Sequence, residues 1–101
     1  MSHLPAHLDY YGLSDNRELC AFGAIYMAEQ DHAHLTYLAV PSEKQGRGYG
    51  RAMLGCLEQL YQERGARTMG LMALQQDAVC FFEHHGYMHA GPGNWELYKQ
   101  L

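Results

Sequence analysis

The sequence predicts a mixed α/β protein of the α+β class, with one mostly antiparallel sheet and two helices. Two observations carry this prediction: short apolar runs separated by polar turns fill the first 40 residues, and amphipathic and apolar segments alternate after them. The predicted element order is β-β-β-α-β-α-β-β. A chain of 101 residues is long enough for one core and too short for two, so we expect a single domain over residues 1–101, with residues 1–7 as a loose lead-in.

Three strands are predicted before residue 41. Turns of polar residues at 14–17 and 29–31 separate the apolar runs, and such short connections join antiparallel strands into a meander. Gly23, in the middle of the second run, favours a bulge or a close backbone approach. The predicted strands are Leu8 to Leu13, Leu19 to Met27, and Ala33 to Val40.

A long amphipathic helix follows the meander. Apolar residues recur at helical spacing from about Gly48 onward, and Gly65 ends the segment as a left-handed cap. The next apolar run, Arg67 to Leu74, is strand-like. A helix of this length between two strands is typical of a crossover between parallel neighbours, so we expect a mixed sheet.

The last third of the chain predicts a short helix and two strands. The helix spans about Asp77 to His84, and the strands Tyr87 to Ala90 and Trp95 to Lys99 flank a cluster of turn residues at 91–94. We expect Trp95 to be a core anchor.

The charge pattern limits the class of partner. The formal net charge is −4, whereas proteins that bind nucleic acid or anionic membranes carry a broad basic face, so we expect neither partner. No apolar run approaches the length of a membrane span, and no apolar signal segment follows Met1. We therefore expect a soluble, cytoplasmic protein.

The cysteines and histidines do not form a disulfide or metal pattern. Cys20, Cys56 and Cys80 are odd in number and lie in apolar runs, which is typical of reduced core cysteines. The 7 histidines occur without a Cys-x-x-Cys pair or a His-Glu-x-x-His motif, so we expect no bound metal.

One glycine-rich stretch, Gln45-Gly46-Arg47-Gly48-Tyr49-Gly50, precedes the long helix. Because its alternate residues lack Cβ, the backbone N–H groups can turn toward a bound group. If the helix begins near Gly48, its free N–H groups and the positive end of its dipole point into the same space. Lys44, Arg47 and Arg51 add positive charge with no acidic residue among them. The stretch predicts a site for a small anion, and phosphate is the usual one.

Two motifs resemble the GNAT N-acetyltransferase superfamily. Leu38-Ala39-Val40-Pro41, the glycine loop and Arg51-Ala52-Met53-Leu54 together resemble its acetyl-coenzyme A signature, Gln/Arg-x-x-Gly-x-Gly/Ala. Residues 78–87 resemble its later Ala-x-x-Leu-Tyr-Glu-Lys-x-Gly-Phe segment at Ala78, Phe81, Phe82, Glu83, Gly86 and Tyr87. The resemblance covers residues 8–99. It implies a GNAT-like acyl-CoA N-acyltransferase fold and the transfer of acetyl from acetyl-coenzyme A to a primary amine of a small molecule or peptide.

The resemblance also implies which residues bind the coenzyme. Loop N–H groups would hold the pyrophosphate, Gln45 would shape the loop, and the end of the third strand would contact the pantetheine arm. The amine would attack the thioester directly, without a metal or a covalent intermediate. Gln75 stands where the family often has asparagine. The implied cofactor-binding set is Leu38, Ala39, Val40, Gln45, Gly46, Arg47, Gly48, Tyr49, Gly50, Arg51, Gln75 and Phe82.

The chain departs from the family at the proposed acid. A tyrosine commonly stands at the position of Phe82 and is proposed to protonate the departing thiolate, but phenylalanine has no proton to give. Cys80 and Tyr87 are the nearby substitutes. The alternative function is therefore a coenzyme A-binding module with weak or no catalysis, such as a sensor or an accessory subunit.

The base that deprotonates the amine also has several candidates. Glu29, His32 and His34 lie around the third strand, and His34 is preferred because an imidazole titrates near neutral pH. Tyr37 is expected to pack rather than to line the acceptor site.

The second departure is length. Family members usually begin with a strand and two helices that cover part of the sheet, whereas this sequence resembles the family from its second strand onward. We expect a homodimer to cover the apolar surface, since the run from Leu19 to Met27 is largely apolar.

Overall fold

The computed structural model describes residues 8–91 and 95–101. The element order is the predicted one, β-β-β-α-β-α-β-β. The predicted lead-in at 1–7 and most of the turn cluster at 91–94 lie outside the described residues. The elements are β1 (Asp9–Asp15), β2 (Glu18–Glu29), β3 (His32–Ala39), α1 (Tyr49–Glu63), β4 (Thr68–Met72), α2 (Gln76–His84), β5 (Met88–His89) and β6 (Glu96–Gln100).

The strands form one mixed sheet in the order β1-β2-β3-β4-β6-β5. The first three strands pair antiparallel, as the short turns predict, and β6 pairs antiparallel with both β4 and β5. Only β3 and β4 are parallel, and α1 connects them. The prediction of a mixed, mostly antiparallel sheet is confirmed.

Both helices lie on one face of the sheet. The connections through α1 and α2 run in the same direction across the sheet, and right-handed crossovers then place both helices on the same side. Gly23 of β2 lies close to α1, because a Cβ atom there would lie 3.1 Å from the Leu57 side chain. The helices bury Met53, Leu54, Leu57, Tyr61, Val79 and Phe82 in the core.

No helix of the described chain covers the other face of the sheet, which we call the open face. Side chains on a strand alternate between faces, so the neighbours of the buried residues Ala33 and Leu35 point to the open face. The ring of Tyr37 stacks on that of Phe22 from β2, with centroids 5.3 Å apart. The open face carries Phe22, Tyr26, His34, Tyr37, Met72 and Tyr98.

Two predictions about burial are wrong. Cys56 and Cys80 lie on the outward surfaces of their helices and are exposed, so only Cys20 is a core cysteine. Trp95 is 53% exposed and anchors no core; its carbonyl oxygen accepts a hydrogen bond of 3.1 Å from the Ala73 N–H. Tyr37, which was expected to pack, stacks one side of its ring on Phe22 and is 52% exposed.

Two negative findings apply to residues 8–91 and 95–101. No helix in these ranges is long and apolar enough to cross a membrane. The same residues contain no group of three or more His, Cys, Asp or Glu side chains that could hold a metal ion.

Candidate functional site

The site begins where β3 and β4 separate. Their parallel ladder runs only from His32 and Thr68 to Leu35 and Leu71, although β3 continues to Ala39. A bulge in β3 coincides with the separation, because the partners of β2 pass from Leu35 directly to Tyr37. Such a bulge bends and twists a strand away from its neighbour. The backbone groups at the end of β3 therefore border a cleft instead of a ladder.

Two adjacent cavities make up this cleft. The first lies between the separated strands and has a volume of about 290 Å³, and the second lies against the glycine loop and has a volume of about 480 Å³. Leu38, Ala78 and Phe82 line both, so the two cavities lie next to each other. A long, thin molecule fits such a space, with one end at the loop and the other between the strands.

The glycine loop has the backbone that the sequence predicts. Gly46 and Gly48 have φ angles of +79° and +87°, a region that favours glycine. Gly48 is the N-cap of α1, and the first hydrogen bond of the helix runs from the Ala52 N–H to the Gly48 carbonyl. The amides of residues 49–51 precede that bond and are the free donors of a helix N-terminus. The prediction of a helix start near Gly48 is confirmed.

Side-chain hydrogen bonds hold the loop to the strands on both sides. The Gln45 Nε2 donates a hydrogen bond of 3.1 Å to the Val40 carbonyl, which joins the loop to the end of β3. The Tyr49 hydroxyl donates a bond of 2.9 Å to Asp15, and this bond raises the pKa of Tyr49 to about 12. These contacts hold the first turn of α1 at the mouth of the cleft.

The basic side chains near the loop differ in their partners. Lys44 forms an ion pair with Glu18 of β2, and this hydrogen bond lowers the pKa of the carboxyl. Arg47 and Arg51 are exposed, and Arg51 lines the larger cavity. The cleft mouth therefore combines helix N–H groups with two exposed guanidinium groups, an arrangement suited to a phosphate.

Helix α2 forms the opposite wall of the cleft. Phe81 and Phe82 contact each other edge to face at 5.1 Å, and Phe81 also packs close to Gly50. A Cβ atom on Gly50 would lie 3.5 Å from Val40 and 3.6 Å from Phe81. The first turn of α1 therefore contacts α2 at this glycine. Asp77 lines the larger cavity as well, a residue that the sequence motifs did not single out.

Neither substitute for the missing acid faces the cleft. The side chain of Cys80 is exposed on α2, where it accepts a hydrogen bond of 3.5 Å from Gln76. Tyr87 is buried, and its hydroxyl donates a bond of 2.8 Å to Glu58; burial and this carboxylate raise the pKa of Tyr87 well above its ordinary value. Phe82 itself lines both cavities.

Of the three base candidates, His34 is the nearest to the point where β3 and β4 separate. Glu29 lies at the far end of β2, and the Nδ1 of His32 is 2.7 Å from the Thr68 hydroxyl. His34 precedes Leu35, the last residue of the β3–β4 ladder, and lies half-buried beside the ring of Tyr26. Burial lowers the pKa of His34, as does the neighbouring His32. This shift favours the neutral imidazole, which can accept a proton.

Solved structures share this fold and identify its class. GCN5 from Tetrahymena superposes with a TM-score of 0.81 and 18% sequence identity, over 95% of this chain and 69% of that one. PaiA N-acetyltransferase from Thermoplasma acidophilum, solved in complex with coenzyme A, superposes with a TM-score of 0.80 and 17% sequence identity, over 93% of this chain and 61% of that one. A GNAT family acetyltransferase from Elizabethkingia anophelis with acetyl-CoA bound superposes with a TM-score of 0.82 and 12% sequence identity, over 93% of this chain and 76% of that one. The fold is that of the N-acetyltransferases.

The family follows from the sequence. Residues 2–87 match the model of the Acetyltransferase (GNAT) family, which is most of the chain. The protein therefore belongs to the GNAT family of acetyltransferases, and the predicted acyltransferase class is confirmed. Its chain spans 61 to 76% of the three solved chains named above.

Proposed function

We propose that this protein transfers an acetyl group from acetyl-CoA to a primary amine of a small molecule or peptide. One observation carries the proposal: the cavity at the glycine loop and the cavity in the gap between β3 and β4 are adjacent and share Leu38, Ala78 and Phe82 as lining residues. The loop suits the pyrophosphate of coenzyme A, and the gap suits its thioester end. Structures of relatives with coenzyme A or acetyl-CoA bound support this choice of co-substrate.

The proposed contacts follow the cleft from its mouth inward. The amides of residues 47–51 bind the pyrophosphate, with Gln45 holding the loop to Val40. Residues 38–40, at and just beyond the end of β3, offer backbone groups to the amides of the pantetheine arm, since this part of the chain has no ladder with β4. Gln75 and Phe82 line the inner cavity, where the thioester would lie.

In the proposed reaction, the amine nitrogen bonds to the acetyl carbon and the carbon–sulfur bond breaks. His34 accepts the proton that the nitrogen loses, because its neutral imidazole lies beside the point where β3 and β4 separate. A backbone N–H at the end of β3 donates a hydrogen bond to the acetyl oxygen as negative charge develops there, and such stabilisation is a large term in acyl transfer. Coenzyme A leaves as a thiolate and is protonated by solvent, since no hydroxyl stands at Phe82.

A second function is favoured by Phe82 alone. A protein that lacks the acid can bind acetyl-CoA as a sensor or an accessory subunit and transfer the acetyl group slowly or not at all. Calorimetry with acetyl-CoA and measurement of thiol release with a panel of amines separate the two functions. Binding with amine-dependent thiol release supports the transferase, and binding without release from any amine supports the second function.

The proposed oligomer is a homodimer formed through the β1–β2 half of the open face. Tyr10 is 73% and Leu19 48% exposed there, and β1 is an edge strand of the sheet. Apolar surface on an edge strand is a site of association between chains. Light scattering at micromolar concentration tests the dimer, and a monomeric mass would refute it.

A further inference from the structure

Lys44 borders the cleft, but a carboxylate already holds its ammonium group. The residue ends a single helical turn, Ser42–Lys44, which connects the end of β3 to the glycine loop. Its side chain lines the larger cavity, the one against the glycine loop. Its Nζ donates a hydrogen bond to Oε1 of Glu18, the first residue of β2. One ammonium group therefore lies between a cavity suited to a phosphate and an acidic side chain.

Both partners of this ion pair are charged. Their hydrogen bond raises the pKa of Lys44 and lowers the pKa of Glu18, so both groups are ionised near neutral pH. Arg47 of the glycine loop also acts electrostatically on both, opposing the first shift and adding to the second. The carboxylate of Glu18 thus reduces the positive potential that Lys44 and Arg47 present to an anion in the cleft.

The two partners differ in their exposure to solvent. The side chain of Glu18 is 64% exposed, whereas that of Lys44 is 15% exposed. Water solvates an exposed carboxylate well when it loses its partner, so an ion pair of this kind adds little to stability. A phosphate offers several charged oxygens, and charge-assisted hydrogen bonds to such oxygens are strong. A phosphate bound at the loop therefore competes with Glu18 for the Lys44 ammonium.

The hairpin that carries Glu18 has a second attachment to the same region. A tight turn joins β1 to β2, and in it Asn16 and Arg17 have φ angles of +52° and +66°. On the other side of this turn, Asp15 accepts the hydrogen bond of 2.9 Å from the Tyr49 hydroxyl. Loss of the ion pair therefore leaves the turn attached to the start of α1, and the ammonium can change partner without a movement of the sheet.

From these contacts we propose that Glu18 competes with the coenzyme for Lys44 and so lowers the affinity of the protein for acetyl-CoA. When the coenzyme binds, the ammonium exchanges the carboxylate for a phosphate oxygen, because the two negative groups repel each other on one ammonium. When coenzyme A leaves, Glu18 pairs with the ammonium again and so favours release. This inference rests on the proposed function, since it assigns an affinity-setting contact to that same site. Glu18 acts through Lys44 and is a positioning residue.

Calorimetry with acetyl-CoA tests the inference through the sign of the effect. We expect Glu18→Gln to lower the Kd for acetyl-CoA about threefold, the size of one exposed charge contact, because the ammonium is then free to bind the phosphate. Lys44→Gln should raise the Kd by a similar factor. Damage to the structure weakens binding, so a gain in affinity distinguishes a competing carboxylate from a merely structural one.

A double variant and a matched control assign the gain to the ion pair. In a Lys44→Gln background, Glu18→Gln should change the Kd little, because no ammonium is left to release. Glu43→Gln is the control, since Glu43 is exposed and adjacent to Lys44 in sequence, and its replacement removes the same charge without removing the ion pair. We expect the Kd of Glu43→Gln to stay near that of the wild type.

A second titration identifies the phosphate that receives Lys44. Coenzyme A carries a pyrophosphate and a phosphate on its ribose, and dephospho-coenzyme A retains only the pyrophosphate. A gain in Glu18→Gln that persists with dephospho-coenzyme A assigns Lys44 to the pyrophosphate. A gain confined to the complete coenzyme assigns Lys44 to the ribose phosphate, and either result supports the exchange of partners.

The outcomes separate this inference from the function beneath it. If Glu18→Gln leaves the Kd unchanged or raises it, or if Glu43→Gln lowers the Kd equally, the inference is overturned while acetyl-CoA binding stands. A gain in affinity that persists in the Lys44→Gln background also overturns it. If the wild type binds no acetyl-CoA in calorimetry, the proposed function is overturned and this inference with it.

Discussion

The Tyr87 hydroxyl donates a hydrogen bond of 2.8 Å to Glu58 Oε2 and so joins the end of α2 to the middle of α1. Lys99 of β6 completes the group, with its Nζ 3.1 Å from Glu58 Oε1 and 5.7 Å from the centre of the Tyr87 ring. The contacts are buried or half-buried and lie away from the cleft. Their role is to fix the two helices against the sheet.

Removal of this hydroxyl should affect stability and not catalysis. We expect Tyr87→Phe to lower the free energy of unfolding by about 1 kcal/mol, the net contribution of one hydrogen bond, while Lys99 still pairs with Glu58. Urea denaturation measures the change, and Tyr10→Phe at an exposed position is the control. A large fall in the rate of thiol release at unchanged stability would instead show that Tyr87 is the acid.

Restoration of a hydroxyl at Phe82 should accelerate the departure of the thiolate. Phe82 lines both cavities of the cleft, and a general acid contributes about 10² to 10⁴ in rate where protonation limits the reaction. Because a thiolate leaves readily without help, we expect Phe82→Tyr to raise kcat by only about tenfold. Thiol release in single-turnover experiments measures the rate of the chemical step in Phe82→Tyr, with Phe81→Tyr as the control. An unchanged rate in a stably folded Phe82→Tyr protein would mean that thiolate departure is not limiting.

The left-handed conformation of Gly48 should make this position intolerant of a side chain. A left-handed φ costs a non-glycine residue about 1–2 kcal/mol, although nothing lies within 4 Å of a Cβ built there. We expect Gly48→Ala to lower stability by about 1 kcal/mol and to weaken acetyl-CoA binding in calorimetry. Gly55→Ala within α1 is the matched control and should raise stability by roughly 0.5–1 kcal/mol, since its Cβ also meets open space. Equal effects of both variants would argue against a conformational role for Gly48.

The pKa of His34 sets an expected pH dependence. Burial and His32 lower this pKa below its ordinary value, and Glu96 opposes them; the other titratable groups of the open face nearby are Tyr26 and Tyr98. The neutral imidazole is the base, so activity should fall as pH drops through the lowered pKa. The ratio of wild-type to His34→Gln kcat/KM cancels titration of the amine, and this ratio should decline only below pH 6.5.

The same shift predicts a stability effect with a defined sign. A depressed folded-state pKa means that the unfolded chain binds the proton more tightly, so stability due to His34 is complete above the unfolded pKa and is lost as pH falls below it. Denaturation of the wild type and of His34→Gln between pH 5 and 7.5 measures the difference. For catalysis, a ratio of wild-type to His34→Gln kcat/KM that changes only above pH 6.5, or that does not change with pH, would exclude His34 as the base.

The sequence predicts the order of elements because hydrophobic periodicity and turn residues are local signals. Gly65, with a φ of +101°, follows the end of α1 as a left-handed residue, as its position predicts. The expectation for Cys56 and Cys80 fails because it uses their apolar neighbours in sequence, whereas both cysteines lie off the stripe that each helix buries, at Met53, Leu54, Leu57 and Tyr61 in α1 and at Val79 and Phe82 in α2. Trp95 was misassigned because its hydrophobicity does not reveal that it precedes β6 at the edge of the core.

The site was predictable in the parts that are contiguous in sequence. The glycine loop and its contact with the end of β3 follow from residues 38–51 alone. By contrast, Met72 and Glu96 come near the gap between β3 and β4 through the register of β4 and β6, and no spacing along the chain predicts that register. The separation of β3 from β4 likewise depends on a bulge at Thr36, a residue that has no turn signature.

The short ladder between β3 and β4 divides the sheet into two three-stranded leaves. Four residue pairs, from His32 and Thr68 to Leu35 and Leu71, are the only strand pairing across this seam. A molecule held in the cleft touches both leaves at once, so its binding free energy reinforces this short join. The two leaves should therefore resist separation better when a molecule is bound than when the cleft is empty.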